Sequence, residues 1–251
     1  MHIVGIIPAR YQSSRFPGKP LVDIDGKSMI QHVYERASEC SSLREVVVAT
    51  DDDRIFNHVQ GFGGKVIMTL PDHESGTERC HEAAEKMDIT PDAVINIQGD
   101  EPFVASEQID QLAQLIQKEG TEIATLVKRI DQTDDLLNPN KVKVVMNANN
   151  LAMYFSRSPI PHMREMKITE WIAKHDFYKH LGLYAYRTDV LREITHYESG
   201  ILEQVEKLEQ LRWLERGKSI LCGITKQESF AIDTPEDLER LTEMIAEEKG
   251  S

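Results

Sequence analysis

At 251 residues with a formal net charge of −13, the chain is long enough for a sizeable core and too acidic for nonspecific binding to nucleic acid, whose affinity rests on neutralising phosphates. Apolar and charged fractions of 40% and 28% are those of a soluble globular protein, and no apolar run approaches the roughly 20 residues that cross a bilayer. Three distant cysteines, Cys40, Cys80 and Cys222, suggest neither a disulfide framework nor a zinc knot. A cytoplasmic protein with no nucleic-acid or membrane partner is expected, since the short N-terminal apolar run lacks a basic lead and is broken by Pro8.

The chain opens with IVGIIPARYQSSRFPGKPL, Ile3 to Leu21. Ile3 to Ile7 has the composition of a buried parallel strand, and Pro8 is expected to stop its pairing for want of an N–H. The loop that follows holds Arg10, Arg15, Gly18 and Lys19, three cations ahead of the first acidic residue, Asp23. An acidic protein that keeps carboxylates out of one strand-end loop reserves that place for an anion, and ligands of open α/β sheets bind beyond the carboxyl ends of strands.

Lys27 to Glu39 carries a helical stripe at Met29, Ile30, Val33 and Ala37. Glu45 to Thr50 reads as a second strand, followed by a short helix to about Gln60, a turn at Gly61 to Gly64 and a third strand over Lys65 to Leu70. Asp72 to Thr77 is a polar turn before a helix to about Met87. Ala93 to Gln98 is a fourth buried strand, and a helix starts at Ser106. Strands alternating with helices predict a mostly parallel sheet with right-handed crossovers. After Thr121 the pattern loosens. Extended segments are expected near Ile123 to Ile130, Val142 to Met146 and Leu181 to Tyr186, and Ser156 to Lys174 has the look of a mobile flap or interface arm. One helix is expected over Ile201 to Glu215, with Ile201, Leu202, Val205, Leu208 and Leu211 along one side, then a strand over Ser219 to Thr225. Thr234, Pro235 and Asp237 form the signature of a capped final helix.

No G-x-G-x-x-G follows the first strand, and Gly26-Lys27-Ser28 lacks the first glycine of a P-loop, so dehydrogenase and P-loop readings fall away. Gly99-Asp100-Glu101-Pro102 ends an apolar strand. Its carboxylate, facing a loop of cations, suits a magnesium ion carrying a polyphosphate, although the same residues also describe an ordinary turn. Asp233, before the capped helix, supplies a second carboxylate for that ion. Ser75-Gly76-Thr77-Glu78-Arg79 at a helix start can meet an anion through backbone N–H groups, and is equally a plain N-cap. His180 and Tyr184 fall on one side of a strand, where a buried pair is the commoner outcome, and Glu209 and Gln210 flank a helical stripe.

Taken in order, IIPARYQSSRFPGKPL, VVVATDDDRI, HESGTERCHE, NIQGDEPF, NPNKVKVV, MYFSRSPIP, KHLGLYAYR, KLEQLRWL and DTPEDLE closely resemble the landmarks of the 3-deoxy-manno-octulosonate cytidylyltransferases, or CMP-KDO synthetases, over nearly the whole chain. The resemblance implies a three-layer, Rossmann-like α/β nucleotidyltransferase fold with a mostly parallel mixed sheet. Residues 1–120 would form the nucleotide-binding part, and residues 121–251 the sugar-binding and dimerisation part, returning to the main sheet near the C-terminus. It implies CMP transfer from CTP to KDO for lipopolysaccharide biosynthesis, with Mg²⁺ as cofactor. Pro8, Ala9, Arg10, Arg15, Lys19, Ser75, Gly76, Thr77, Gln98 and Asp100 would meet the nucleotide. Arg10, Lys19, Asp100 and Asp233 would carry catalysis, the two aspartates as metal ligands. Arg79, Gln98, Arg157, His180, Tyr184, Glu209 and Gln210 would line the sugar side. A homodimer joined near Leu126 to Pro161 and Leu181 to Arg187 is also implied. The run Glu228-Ser229-Phe230-Ala231 stands where the family often carries a glycine-bearing loop, which keeps 8-amino-3,8-dideoxy-manno-octulosonate open as the sugar. A noncatalytic CTP-binding module is the alternative of another class.

Overall fold

A computed structural model describes residues 1–12, 16–228, 231–232 and 234–250. Arg15, Asp233 and the Ser229–Phe230 pair lie outside the described residues. The first part of the chain forms β1 (Ile3–Ala9), β2 (Asp23–Ile24), β3 (Lys27–Ser28), α1 (Met29–Ser38), β4 (Glu45–Thr50), α2 (Asp53–Gly61), β5 (Val66–Met68), α3 (Gly76–Glu85), β6 (Ala93–Asn96) and α4 (Ser106–Ile116). It continues through β7 (Ile123–Arg129), α5 (Thr133–Leu137), β8 (Lys143–Met146), β9 (Ala152–Ser156), α6 (Trp171–Lys174) and β10 (Tyr178–Arg187). The last elements are α7 (Thr188–Ile194), α8 (Ile201–Glu206), α9 (Gln210–Glu215), β11 (Ile220–Thr225) and α10 (Pro235–Gly250). Short 3-10 helices lie at Lys19–Leu21 and Ile168–Glu170.

The chain divides into two compact units, Met1–Asp110 with Ser229–Ser251, and Gln111–Glu228. In the first, the main strands lie in the order β6-β1-β4-β5 and each of these pairs is parallel, while the short β2 and β3 pair antiparallel with each other. Val4, Ile6, Ile7, Val47, Val48, Ala49, Val94 and Ile95 are all buried, as strands covered on both faces require. From β1 the chain steps through α1 to β4 and through α2 to β5, then crosses through α3 to β6 on the far side of β1. Right-handed crossovers therefore put α1 and α2 on one face and α3 on the other. The direction of winding reverses between β1 and β6, and a crevice opens at the carboxyl ends of strands where this happens.

Pro8 does not stop the pairing as expected: β1 runs on to Ala9, with Pro8 opposite Ala49 and Ala9 opposite Thr50. The reason is register. Ile3 O accepts from Arg44 N–H ahead of β4, and Ile6 O accepts from Ile97 N–H beyond β6. Alternate residues of β1 thus face opposite neighbours, and the N–H that Pro8 lacks falls on the β6 side, past the last rung.

Around α1 the expected stripe of Met29, Ile30, Val33 and Ala37 is buried, and Ser28 caps the helix by accepting from Gln31 N–H. The chain's end returns to this unit, where Ile232 and Leu241 pack with Ile24 and Met29. Thr234 and Asp237 bond each other's backbone N–H groups, as their spacing predicts.

In the second unit β11 runs parallel to β7, β10 antiparallel to β7, β8 antiparallel to β10 and β9 antiparallel to β8. A small core gathers Ile130, Leu136, Trp171 and Phe177, with Met163, Met166, Ile168 and Ile172 against it. The stretch Ser156 to Lys174, expected as a mobile flap or interface arm, is anchored over its second half: Trp171 stacks on Phe177 and donates its indole N–H to Met166 O. The single helix expected over Ile201 to Glu215 is two. Lys207 takes a left-handed conformation, φ 55°, and ends α8. The apolar stripe splits with it, since Leu208 and Leu211 are buried while Ile201 and Val205 are exposed.

All three cysteines are buried thiols outside any disulfide, and burial pushes the Cys40 and Cys222 thiols up to about 12.

Candidate active site

At the carboxyl ends of β1 and β6, inside the first unit, lies a pocket of about 250 Å³. Four pieces of backbone build it. The end of β1 and the residue after it deliver Pro8, Ala9 and Arg10, and the turn after β6 delivers Gln98, Gly99 and Asp100. The approach of Ser75 and Gly76 to α3 and the 3-10 helix beginning at Lys19 complete the wall. Close approach of these pieces explains a glycine: a Cβ at Gly99 would sit 3.0 Å from Pro8 O.

The N-terminus of α3 brings a partial positive charge to the pocket. Ser75 Oγ accepts from Glu78 N–H at 3.2 Å, which leaves the first N–H groups of the helix turned toward an incoming anion. Lys19 comes from a loop clamped by Gly18 N–H to Tyr11 O at 2.9 Å, with the Arg54 guanidinium over the Tyr11 ring. The Lys19 ammonium donates to Asp100 Oδ2 and to Ile232 O, each at 2.8 Å, and Ile232 N–H donates back to Asp100 O at 2.9 Å. The residue before Asp233 is therefore tied to Asp100. Arg10 is exposed.

Arg79, assigned to the sugar side by resemblance, lines the same pocket but is 3% exposed. It donates to Thr69 Oγ1 at 2.6 Å and forms an ion pair with Asp51 at 3.2 Å. Burial pulls its guanidinium below the ordinary value, against Asp51 and with help from nearby Arg10. Thr77 is buried and is not among the pocket's lining residues.

His73, Glu74 and Pro20 also line the pocket, and none was singled out from the sequence. The His73 ring bonds Glu82. Burial opposes the Glu82 charge, yet hydrogen bonds from Lys86, His73 and Leu70 N–H hold its carboxyl down to about 2. His73 and Glu74 sit immediately before Ser75 in HESGTER, so that motif was the available signal.

Arg157, His180, Tyr184, Glu209 and Gln210, assigned to the sugar side by resemblance, belong to the second unit. His180 and Tyr184 do share a side, their ring centroids 5.2 Å apart, despite an irregular register between Leu181 and Tyr184. His180 is partly buried beside Phe155, its Nε2 lies 3.0 Å from Thr125 Oγ1, and desolvation pushes its pKa down to about 3. It is uncharged at neutral pH. Tyr184 is buried against Tyr186 and Trp213, its hydroxyl has no hydrogen-bond partner among the described residues, and burial raises its pKa well above the ordinary value with support from Tyr186 and Glu209. Gln210 opens α9 and is buried, with Glu209 just before it. Arg157, assigned to the sugar side by resemblance, donates its guanidinium N–H groups to Glu206 O, Pro139 O and Lys207 O. It closes the turn between α8 and α9 by satisfying carbonyls that the helix end leaves open.

Residues 4–220 match the cytidylyltransferase family model. The chain is 55% identical over 250 residues to a 3-deoxy-manno-octulosonate cytidylyltransferase of Parabacteroides distasonis, covering 98% of this chain and 99% of that one. It is 50% identical to the enzyme of the same name from Thermodesulfovibrio yellowstonii, over 95% of this chain and 96% of that one. Among solved structures it is similar to CMP:2-keto-3-deoxy-manno-octonic acid synthetase complexed with CTP, at 44% identity and a TM-score of 0.91, covering 99% of this chain and 100% of that one. A 4-diphosphocytidyl-2C-methyl-D-erythritol synthase from Anaerococcus prevotii shares the fold at 12% identity and a TM-score of 0.65, over 98% of each chain. With half or more of its residues held in common with full-length relatives, the chain belongs to the 3-deoxy-manno-octulosonate cytidylyltransferase family.

Proposed function

We propose that the chain transfers CMP from CTP to the anomeric hydroxyl of KDO, giving CMP-KDO and pyrophosphate for lipopolysaccharide biosynthesis. The observation that carries this is one pocket at the winding reversal that gathers Pro8, Ala9, Arg10, Lys19, Ser75, Gly76, Gln98 and Asp100, in a chain of this family. In-line attack of the sugar hydroxyl on the α-phosphorus needs no covalent protein nucleophile, so positioning and charge neutralisation dominate. Arg10 and Lys19 bring positive charge to the triphosphate, and the N–H groups at the start of α3 add fixed dipoles. On the sugar side, neutral His180 acts as a hydrogen-bonding group rather than a cation, alongside Tyr184, Glu209 and Gln210.

Magnesium fits the residues present. Among the described residues no three His, Cys, Asp or Glu side chains gather to hold a metal by themselves. A lone carboxylate beside a phosphate pocket is nonetheless how Mg²⁺ is usually held, since substrate phosphates and water fill its other positions. Asp100 would hold it, and Asp233, outside the described residues, is the proposed second ligand. When bound, Mg²⁺ supplies neutralisation of the phosphate charge and a lower pKa for a coordinated hydroxyl.

We further place the protein in the cytoplasm as a homodimer. No helix among the described residues is long and apolar enough to cross a membrane, and the proposed dimer segment Leu126 to Pro161 presents Met153, which is 64% exposed. The deciding assay is pyrophosphate release and product mass with CTP and KDO, with and without Mg²⁺, against UTP and 8-amino-3,8-dideoxy-manno-octulosonate. CMP-KDO formed only with Mg²⁺ is the expected result. Preference for the amino sugar would move the substrate, and CTP binding with no pyrophosphate would leave a binding module.

A further inference from the structure

The ammonium of Lys19 and the carboxylate of Asp100 are partners at 2.8 Å, with side chains 16% and 26% exposed. The same ammonium holds the carbonyl of Ile232, and the Ile232 N–H holds the carbonyl of Asp100. One lysine therefore occupies an oxygen of the strand-end carboxylate and fastens it to the chain just before Asp233. A divalent ion approaching Asp100 meets a charge already neutralised and a like charge at contact distance. Lys19 also lines the nucleotide pocket, where a triphosphate offers it a denser negative charge than one carboxylate does.

We propose that Lys19 is a placeholder cation for Asp100, keeping the carboxylate closed to free divalent metal until nucleotide phosphates draw the ammonium away. The inference rests on the reading of Asp100 as a metal ligand. Its consequence is an order of loading: the nucleotide, alone or already carrying its metal, enters before Asp100 can hold an ion. Free metal does not precharge the site.

Mn²⁺ is the probe, titrated by electron paramagnetic resonance into the full chain without nucleotide. Lys19→Met, which keeps length and removes charge, is expected to bind Mn²⁺ about tenfold more tightly than the unsubstituted chain. Lys19→Arg, which keeps the charge, should stay as weak as the parent, and adding Asp100→Asn to Lys19→Met should abolish the gain. Equal affinity in parent and Lys19→Met overturns the proposal, as does a gain that survives Asp100→Asn. Should Lys19→Met fail to fold, Lys19→Gln is read in the same way. The metal reading is judged separately with CTP present: weaker Mn²⁺ uptake by Asp100→Asn upholds Asp100 as a ligand whatever Lys19 does, and unchanged uptake removes that reading.

Discussion

Desolvation of the His180 ring has a signature in stability as well as in binding. Its folded pKa is about 3 and its ordinary value 6.5, so between these the unfolded chain takes a proton that the folded chain refuses. Stability must therefore fall as pH drops from 6.5 toward 3, by up to about 1.4 kcal/mol per pH unit from this group, and the group contributes no slope above 6.5. His180→Gln should remove that contribution, so urea unfolding curves of parent and variant should converge or cross as the medium is acidified. Parallel curves across the range would show that the ring titrates normally. The sugar-side roles proposed for His180, Glu209 and Gln210 were not legible in periodicity, because a strand histidine and a helix-flanking glutamate are usually structural. They became visible only through resemblance. The three carbonyls that Arg157 holds were equally illegible, for no pattern of letters shows which acceptors a guanidinium will meet.

At the scale of elements, β1, β4 and β6 were readable because β-branched runs buried on both faces have few other uses, whereas the two-residue β2 and β3 carry no such run and were missed. β8 was expected over Val142 to Met146, but β9, short and antiparallel, was missed, as was α5 among polar residues. The break between α8 and α9 had no sequence signal, since Lys207 is neither glycine nor asparagine in a left-handed cap. Gly18 is the opposite case, a glycine whose conformation matters to the site. At φ 74° it opens the 3-10 helix that carries Lys19, and a Cβ there would come within 3.1 Å of the Tyr11 ring. Gly18→Ala should destabilise the chain by about 1 kcal/mol through left-handed strain. Because Lys19 moves with the helix, it should also raise KM for CTP more than KM for KDO. Unchanged kinetics beside a loss of stability would detach the loop's geometry from nucleotide binding.

For the whole molecule, the surface left apolar is informative chiefly where it is broad. Ile201 and Val205 on α8 and Met153 on β9 are well exposed, and isolated apolar residues on a surface are ordinary. The proposed dimer therefore stands on its own measurement: light scattering across working concentrations should report two chains, and a monomer throughout would remove it. The buried thiols have a practical use at the same scale. Maleimide attacks thiolates, and Cys40 and Cys222 hold their protons up to about pH 12 while Cys80 has no exposed surface. The natural chain is thus already a silent background for site-directed fluorophores. A cysteine introduced at an open position such as Ile89, 67% exposed, can carry a dye without editing the three that are there.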